Sequence, residues 1–160
     1  MTEINYVTGD ATSPFGGGNS KKIIVHVCNN VEGRGAWGAG FVMALSKKWK
    51  APEATYRGMK HRDLGEYILT PVEDDIDVCN LIGQEGTIKS NVTLNMPPIR
   101  YVAIETALKK LAMELIGGDY TVHMPRIGSG LAGGNWKIIE TIIEETLCKA
   151  GVSVTVYDLP

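Results

Sequence analysis

The run Ile23-Ile24-Val25-His26-Val27-Cys28 is apolar or β-branched at every position but one. A strand that faces water on one side alternates apolar with polar residues. A continuous run is the signature of a strand covered on both faces, which in short chains means a largely parallel sheet between helices. Gly33 to Gly40 follow directly, and then Phe41, Ala44, Leu45 and Lys48 recur at helical spacing. The same order returns later in the chain. Tyr120 to Met124 reads as a short strand, Gly128 to Gly134 as a second glycine-rich loop, and Trp136, Ile139, Ile142, Ile143 and Leu147 as the apolar stripe of a helix, with Trp136 expected in the core.

The remaining elements fill in an α/β order. Residues 4–8 and 152–157 alternate as strands, and Pro52 opens a helix through Arg57. Tyr67–Leu69 and Ile76–Ile82 flank the acidic turn Glu73-Asp74-Asp75 as a hairpin. Residues 86–98, polar and carrying two prolines, read as a loop. Ile99 to Ile116 read as a helix ended by Gly117-Gly118. The expectation is a three-layer α/β/α domain with a mixed sheet, spanning residues 1–160 as one unit. A length of 160 residues suits one domain, and 44% hydrophobic against 21% charged residues supplies a core.

Net charge is −2, from 16 Lys+Arg against 18 Asp+Glu, so the basic footprint of a nucleic-acid binder is missing. No apolar run reaches the ~20 residues of a membrane span, and Met1-Thr2-Glu3-Ile4-Asn5 lacks the basic-then-apolar pattern of a signal peptide. Cys28, Cys79 and Cys148 form neither a disulfide framework nor a CxxC zinc motif. The expectations are a reducing, cytoplasmic setting, a monomer, and no metal or cofactor.

Glycines at strand ends let backbone N–H groups approach an anion, and a following helix N-terminus favours negative charge. Two such loops suit a phosphate-bearing ligand clamped from both sides; a single loop is as readily a mere turn. The Walker A pattern is absent. Gly33-Arg34-Gly35-Ala36-Trp37-Gly38 matches GxGxxG, but no ribose-binding acid ends a strand about 20 residues on, where Ala54-Thr55-Tyr56 lies in a helix.

His26 near the end of an apolar strand is either a hydrogen-bonded core residue or a general acid or base. With Cys28 it makes only a weak metal pair, and a cysteine in an apolar strand is normally inert. His61 reads as a surface residue and His123 as a satisfied buried one. Trp37 is a loop anchor or a lid. Asp10 is a cap or turn residue, or a carboxylate accepting from a base's amino group.

Five segments in order make the chain similar to the macro domain family: Tyr6-Val7-Thr8-Gly9-Asp10, Val25-His26-Val27-Cys28-Asn29-Asn30, Trp37-Gly38-Ala39-Gly40-Phe41, Met124-Pro125-Arg126-Ile127-Gly128-Ser129-Gly130-Leu131 and Val154-Thr155-Val156-Tyr157-Asp158-Leu159. The resemblance implies a mixed six-stranded sheet with an ADP-ribose cleft at the strand ends. By position, Asp10, with Ala11 beside it, holds the adenine amino group and Tyr157 lies near the adenine. Asn29 binds the distal ribose. Trp37, Gly38, Ala39, Gly40 and Phe41 wrap that ribose and a phosphate. The loop Ile127, Gly128, Ser129, Gly130, Leu131 and Ala132 donates to the diphosphate.

His26 and the Gly38-Ala39-Gly40-Phe41-Val42 pattern are most similar to the branch with the yeast-type ADP-ribose-1''-phosphate phosphatase and the terminal ADP-ribose–protein glutamate hydrolase. The resemblance implies His26 and Asn29 as catalytic residues. It also shows a departure: the hydrolase's lysine and aspartate positions are occupied here by Gln84 and Ala132. The implied activity is hydrolysis of the 1''-phosphate of ADP-ribose. The alternatives are hydrolysis of an ADP-ribose ester on protein or of O-acyl-ADP-ribose, and a non-catalytic reader of ADP-ribose or ADP-ribosylated protein.

Overall fold

The computed structural model describes residues 1–92 and 95–160. In chain order the elements are β1 (Ile4–Thr8), β2 (Lys21–Asn29), α1 (Phe41–Lys48), α2 (Ala51–Gly58), β3 (Tyr67–Glu73), β4 (Ile76–Gln84), α3 (Ile88–Asn91), α4 (Tyr101–Leu115), β5 (Tyr120–Met124), α5 (Trp136–Ile143) and β6 (Ser153–Asp158). One π-helical turn, Glu144–Cys148, continues α5.

The six strands form one sheet in the order β1-β6-β5-β2-β4-β3. All neighbours are parallel except the β3–β4 hairpin. Successive side chains of β2 enter opposite layers, as the pleat requires. Ile23 and Val25 pack with Cys79, Leu81 and the apolar faces of α4 and α5. Ile24 and Cys28 pack with Val78, Ile82, Leu45 and Tyr56 on the α1–α2 side. The continuous apolar run is therefore explained by two cores, and the expected three-layer architecture holds.

Two boundaries differ from expectation. Ile99 does not open α4. It forms an isolated bridge to Gln84, and its N–H donates to the Ala132 carbonyl at 3.1 Å, so it ties the second glycine loop to the sheet edge. The segment read as loop over 86–98 contains α3, started by a reciprocal capping box between Thr87 and Ser90.

Candidate functional site

The parallel strands end on one side of the sheet, and the sheet order sets the order of groups along that edge. Asp10 follows β1, Tyr157 ends β6, Arg126 follows β5, and His26 and Gln84 lie near the ends of β2 and β4. A cleft of about 520 Å³ runs along this edge and is lined by residues from all five strand ends. At the β2–β4 end it adjoins a second recess of about 360 Å³, with Val27, Ala39, Gln84 and Leu131 as common walls. The crevice at the carboxyl ends of such strands is the usual ligand position in open α/β sheets.

Both glycine loops line the cleft, and positive φ explains the residue choice at their critical points. Gly40 (φ 83°) precedes the first turn of α1, and Gly128 (φ 71°) sits where a Cβ would lie 2.6 Å from Ile99 Cδ1. The second loop is closed by Gly134 N–H donating to the Gly128 carbonyl at 2.7 Å and Gly133 N–H to the Gly130 carbonyl at 3.0 Å. Among the described residues, the N–H groups of Gly130, Leu131 and Ala132, and those of Gly38, Ala39 and Gly40, have no protein acceptor. Unsatisfied backbone donors on two sides of one crevice are the arrangement that suits an anion.

The Asp10 end is polar and rigid. One Asp10 carboxylate oxygen accepts from the Thr12 N–H and hydroxyl, both at 2.8 Å, which closes a turn. The other has no partner among the described residues, so the two readings of Asp10 are compatible. Arg126 pairs bidentately with Asp158 at 2.7 and 3.0 Å, and its guanidinium carbon lies 5.1 Å from the Tyr6 ring centroid and 5.3 Å from that of Trp136. Trp136 is thus half-buried: it packs against the edge of the main core, as expected, while its indole N–H reaches out to the Tyr6 hydroxyl. Tyr157 is buried. Its hydroxyl meets His123 Nδ1 at 2.7 Å and accepts from the Phe15 N–H at 3.0 Å, supporting the cleft from beneath.

His26 is 2% exposed yet lines the cleft. It pairs in register with Asn80 of β4. Asn80 Nδ2 donates to the Pro52 carbonyl at 3.0 Å, which turns Asn80 Oδ1 toward His26 Nε2 at 2.5 Å. Nε2 therefore carries the proton, and Nδ1 keeps the lone pair. Burial lowers the His26 pKa to about 4, against the smaller opposing effect of the Asn80 bond. Trp37 meets the imidazole edge-on at 5.4 Å, and Phe41 packs at 5.9 Å. Cys28 lies 3.8–3.9 Å from the ring, and burial pushes its thiol pKa up, so it remains a protonated packing residue.

A search of family models gave no match. Among solved structures, a macrodomain protein from Streptomyces coelicolor is 42% identical, with 98% of this chain and 99% of that chain covered and a TM-score of 0.79. The chain belongs to the macrodomain family. The mouse chromodomain-helicase-DNA-binding protein 1-like is 31% identical over 99% of this macrodomain, which spans only 18% of that protein's length. The ADP-ribose 1''-phosphate phosphatase of Saccharomyces cerevisiae is 26% identical over 99% of the chain and 100% of its own length.

The macrodomain cleft brings together Asp10, Ala11, His26, Ala39, Gly40, Phe41, Ile127, Gly128, Gly130, Leu131, Ala132 and Tyr157. Asn29, Trp37 and Gly38 line the adjoining recess. Ser129 lines neither; its hydroxyl donates to the Arg126 carbonyl at 2.7 Å. Trp37 is a buried anchor rather than a lid, with its indole N–H donating to Ser46 Oγ at 2.8 Å. Asn29, expected to hold a ribose and share in catalysis, has its side chain committed within the protein. Its Nδ2 donates to the Ala36 carbonyl at 2.8 Å, and its Oδ1 accepts from the Tyr56 hydroxyl at 2.5 Å and the Val31 N–H at 3.2 Å. Asn80, Tyr56 and Arg126 were not singled out from sequence. Asn80 had a signal: an amide in the middle of the apolar run Val78 to Ile82.

Proposed function

We propose that this macrodomain binds ADP-ribose along the cleft and hydrolyses the phosphate from its 1''-position. The observation that supports this most is the pair of glycine loops presenting unpaired backbone N–H groups across one crevice, with a carboxylate at one end and, at the other, a mainly apolar recess edged by Gln84, Thr87 and Lys89. A diphosphate flanked by a purine and a ribose has that order of groups. Positioning supplies much of the rate gain in such a site. Neutral His26 accepts a proton at Nδ1 from the water as its oxygen bonds to phosphorus, and as the bond from phosphorus to the 1''-oxygen breaks the imidazolium returns that proton to the departing ribose oxygen. With a pKa of about 4 it is almost wholly unprotonated at neutral pH, so it serves as acceptor and not as the initial acid. The same cleft admits an ADP-ribose ester as substrate.

The test is release of free phosphate from ADP-ribose 1''-phosphate. Wild type is expected to turn it over. His26→Ala is expected to bind ADP-ribose within a few fold and to lose roughly 10²–10⁴ in turnover. A second reading, a non-catalytic ADP-ribose reader, draws on His26 Nε2 being tied to Asn80 and on Gln84 and Ala132 standing where a lysine and an aspartate would act. Retained ADP-ribose binding with no turnover of phosphate or ester substrates would establish that reading instead.

A further inference from the structure

Arg62 is 7% exposed and has no carboxylate partner among the described residues. A buried cation is tolerable only if its donors are satisfied, and here backbone carbonyls do it. Nε donates to the Tyr56 carbonyl at 2.9 Å, Nη1 to Val31 at 2.7 Å, and Nη2 to Gly33 at 3.0 Å and Arg57 at 3.1 Å. The guanidinium carbon sits 4.4 Å from the Tyr56 ring centroid. One side chain thereby joins the C-terminal turn of α2 to the first glycine loop.

Tyr56 extends the junction. Its hydroxyl donates to Asn29 Oδ1 and accepts from the Ala36 N–H at 3.1 Å. Gly35 lies so close that a Cβ there would be 2.4 Å from the Tyr56 ring. Arg57 Nη1 takes the Arg34 carbonyl at 2.7 Å, and Asn29 takes that of Ala36. The carbonyls of residues 31, 33, 34 and 36 are thus held by protein donors beneath the loop. The loop then delivers Trp37, Gly38 and Ala39 to the cleft, where the N–H groups of Gly38 and Ala39 are unpaired.

We propose that Arg62, acting through Tyr56 and the loop carbonyls, is the positioning residue for the distal-ribose end of the cleft. It lines neither the cleft nor the recess. It fixes the peptide orientation of residues 31–36 and so the placement of the donors that follow. Lysine cannot replace it: a single ammonium lacks the planar fork that reaches four carbonyls on two segments. The proposal rests on the reading that the cleft takes ADP-ribose with its distal ribose at the β2–β4 end.

The experiment compares ADP-ribose with ADP, which lacks the distal ribose, by calorimetric titration of wild type, Arg62→Lys and Tyr56→Phe. Hydrogen exchange at the amides of residues 35–38 is measured on the same proteins without ligand. We expect both variants to lose tenfold or more in ADP-ribose affinity, to bind ADP within twofold of wild type, and to exchange faster at 35–38 while β2 stays protected. Equal weakening for both ligands, or no change for either, overturns the proposal. Should wild type fail to bind ADP-ribose, the functional reading falls, and unchanged exchange at 35–38 in Arg62→Lys overturns the clamp by itself.

Discussion

Acid should destabilise this macrodomain through His26, and the size of the effect follows from its surroundings. The folded chain holds the imidazole at a pKa of about 4, whereas its ordinary value is 6.5. Between these values the unfolded chain binds a proton that the folded chain refuses, so stability is complete above about pH 6.5 and falls as pH drops toward 4. At about pH 4.5 the loss from this one residue is roughly 2–3 kcal/mol, or about 5–10 °C in Tm for a chain of this size. Other groups titrate in the same range, His123 among them, with burial lowering its pKa to about 4 as well. The measurement is therefore a difference. Urea unfolding is followed from about pH 7.5 to 4.5 for wild type and for His26→Gln, whose amide still donates to Asn80 but does not titrate. Wild type should lose about 2 kcal/mol more than the variant over that range. Parallel curves would mean that His26 is not held neutral by burial, and the account of its role as proton acceptor would fail with it.

Three further outcomes test the cleft. Asp10→Asn keeps an acceptor for the Thr12 turn but removes the charge, and calorimetry should show ADP-ribose binding weakened by about 1.5–3 kcal/mol, the worth of a hydrogen bond to a charged group. Ala39→Glu places a carboxylate between the loops without a positive-φ requirement, unlike Gly40, and should abolish binding while circular dichroism and Tm stay near wild type. Gly134→Ala forces a Cβ to within 2.5 Å of the Gly128 carbonyl, so the second loop must open; chemical denaturation should show a loss of about 1–3 kcal/mol, with ligand affinity falling alongside.

The framework was legible because its signals are local. The double-sided burial of Ile23 to Cys28, the acidic hairpin turn and the glycines before α1 and α5 each reflect a constraint carried by a few adjacent residues. Trp136 was legible only in part: its apolar stripe is continuous with Ile139 and Ile143 and it packs against the same core, but in the first turn of α5 it stays half-exposed. There the indole also meets Tyr6 of β1 and Arg126 from the loop after β5, contacts that spacing along α5 does not reveal. Ile99 was misplaced because apolar spacing does not distinguish the first residue of a helix from a residue bridging Gln84 just before it. Arg62 gave no signal, since an arginine in the polar stretch Lys60-His61-Arg62-Asp63 reads as surface until the loop folds over it.

The least legible part of the site is also the part on which the proposed chemistry rests. His26 could be placed on a buried strand, but its tautomer depends on Asn80, 54 residues away in sequence, and on the Pro52 carbonyl that orients the amide. Parallel register between β2 and β4 brings the two side chains together, and register is a property of the whole sheet. The burial that makes β2 recognisable also lowers the basicity of its histidine. An imidazole with a pKa near 4 is a carboxylate-like base, weak but always available at neutral pH, and its Nδ1 must lie within hydrogen-bond reach of a water in the occupied cleft. Under the proposed function, turnover therefore requires a water placed against this one nitrogen, whereas reading would require only the two loops.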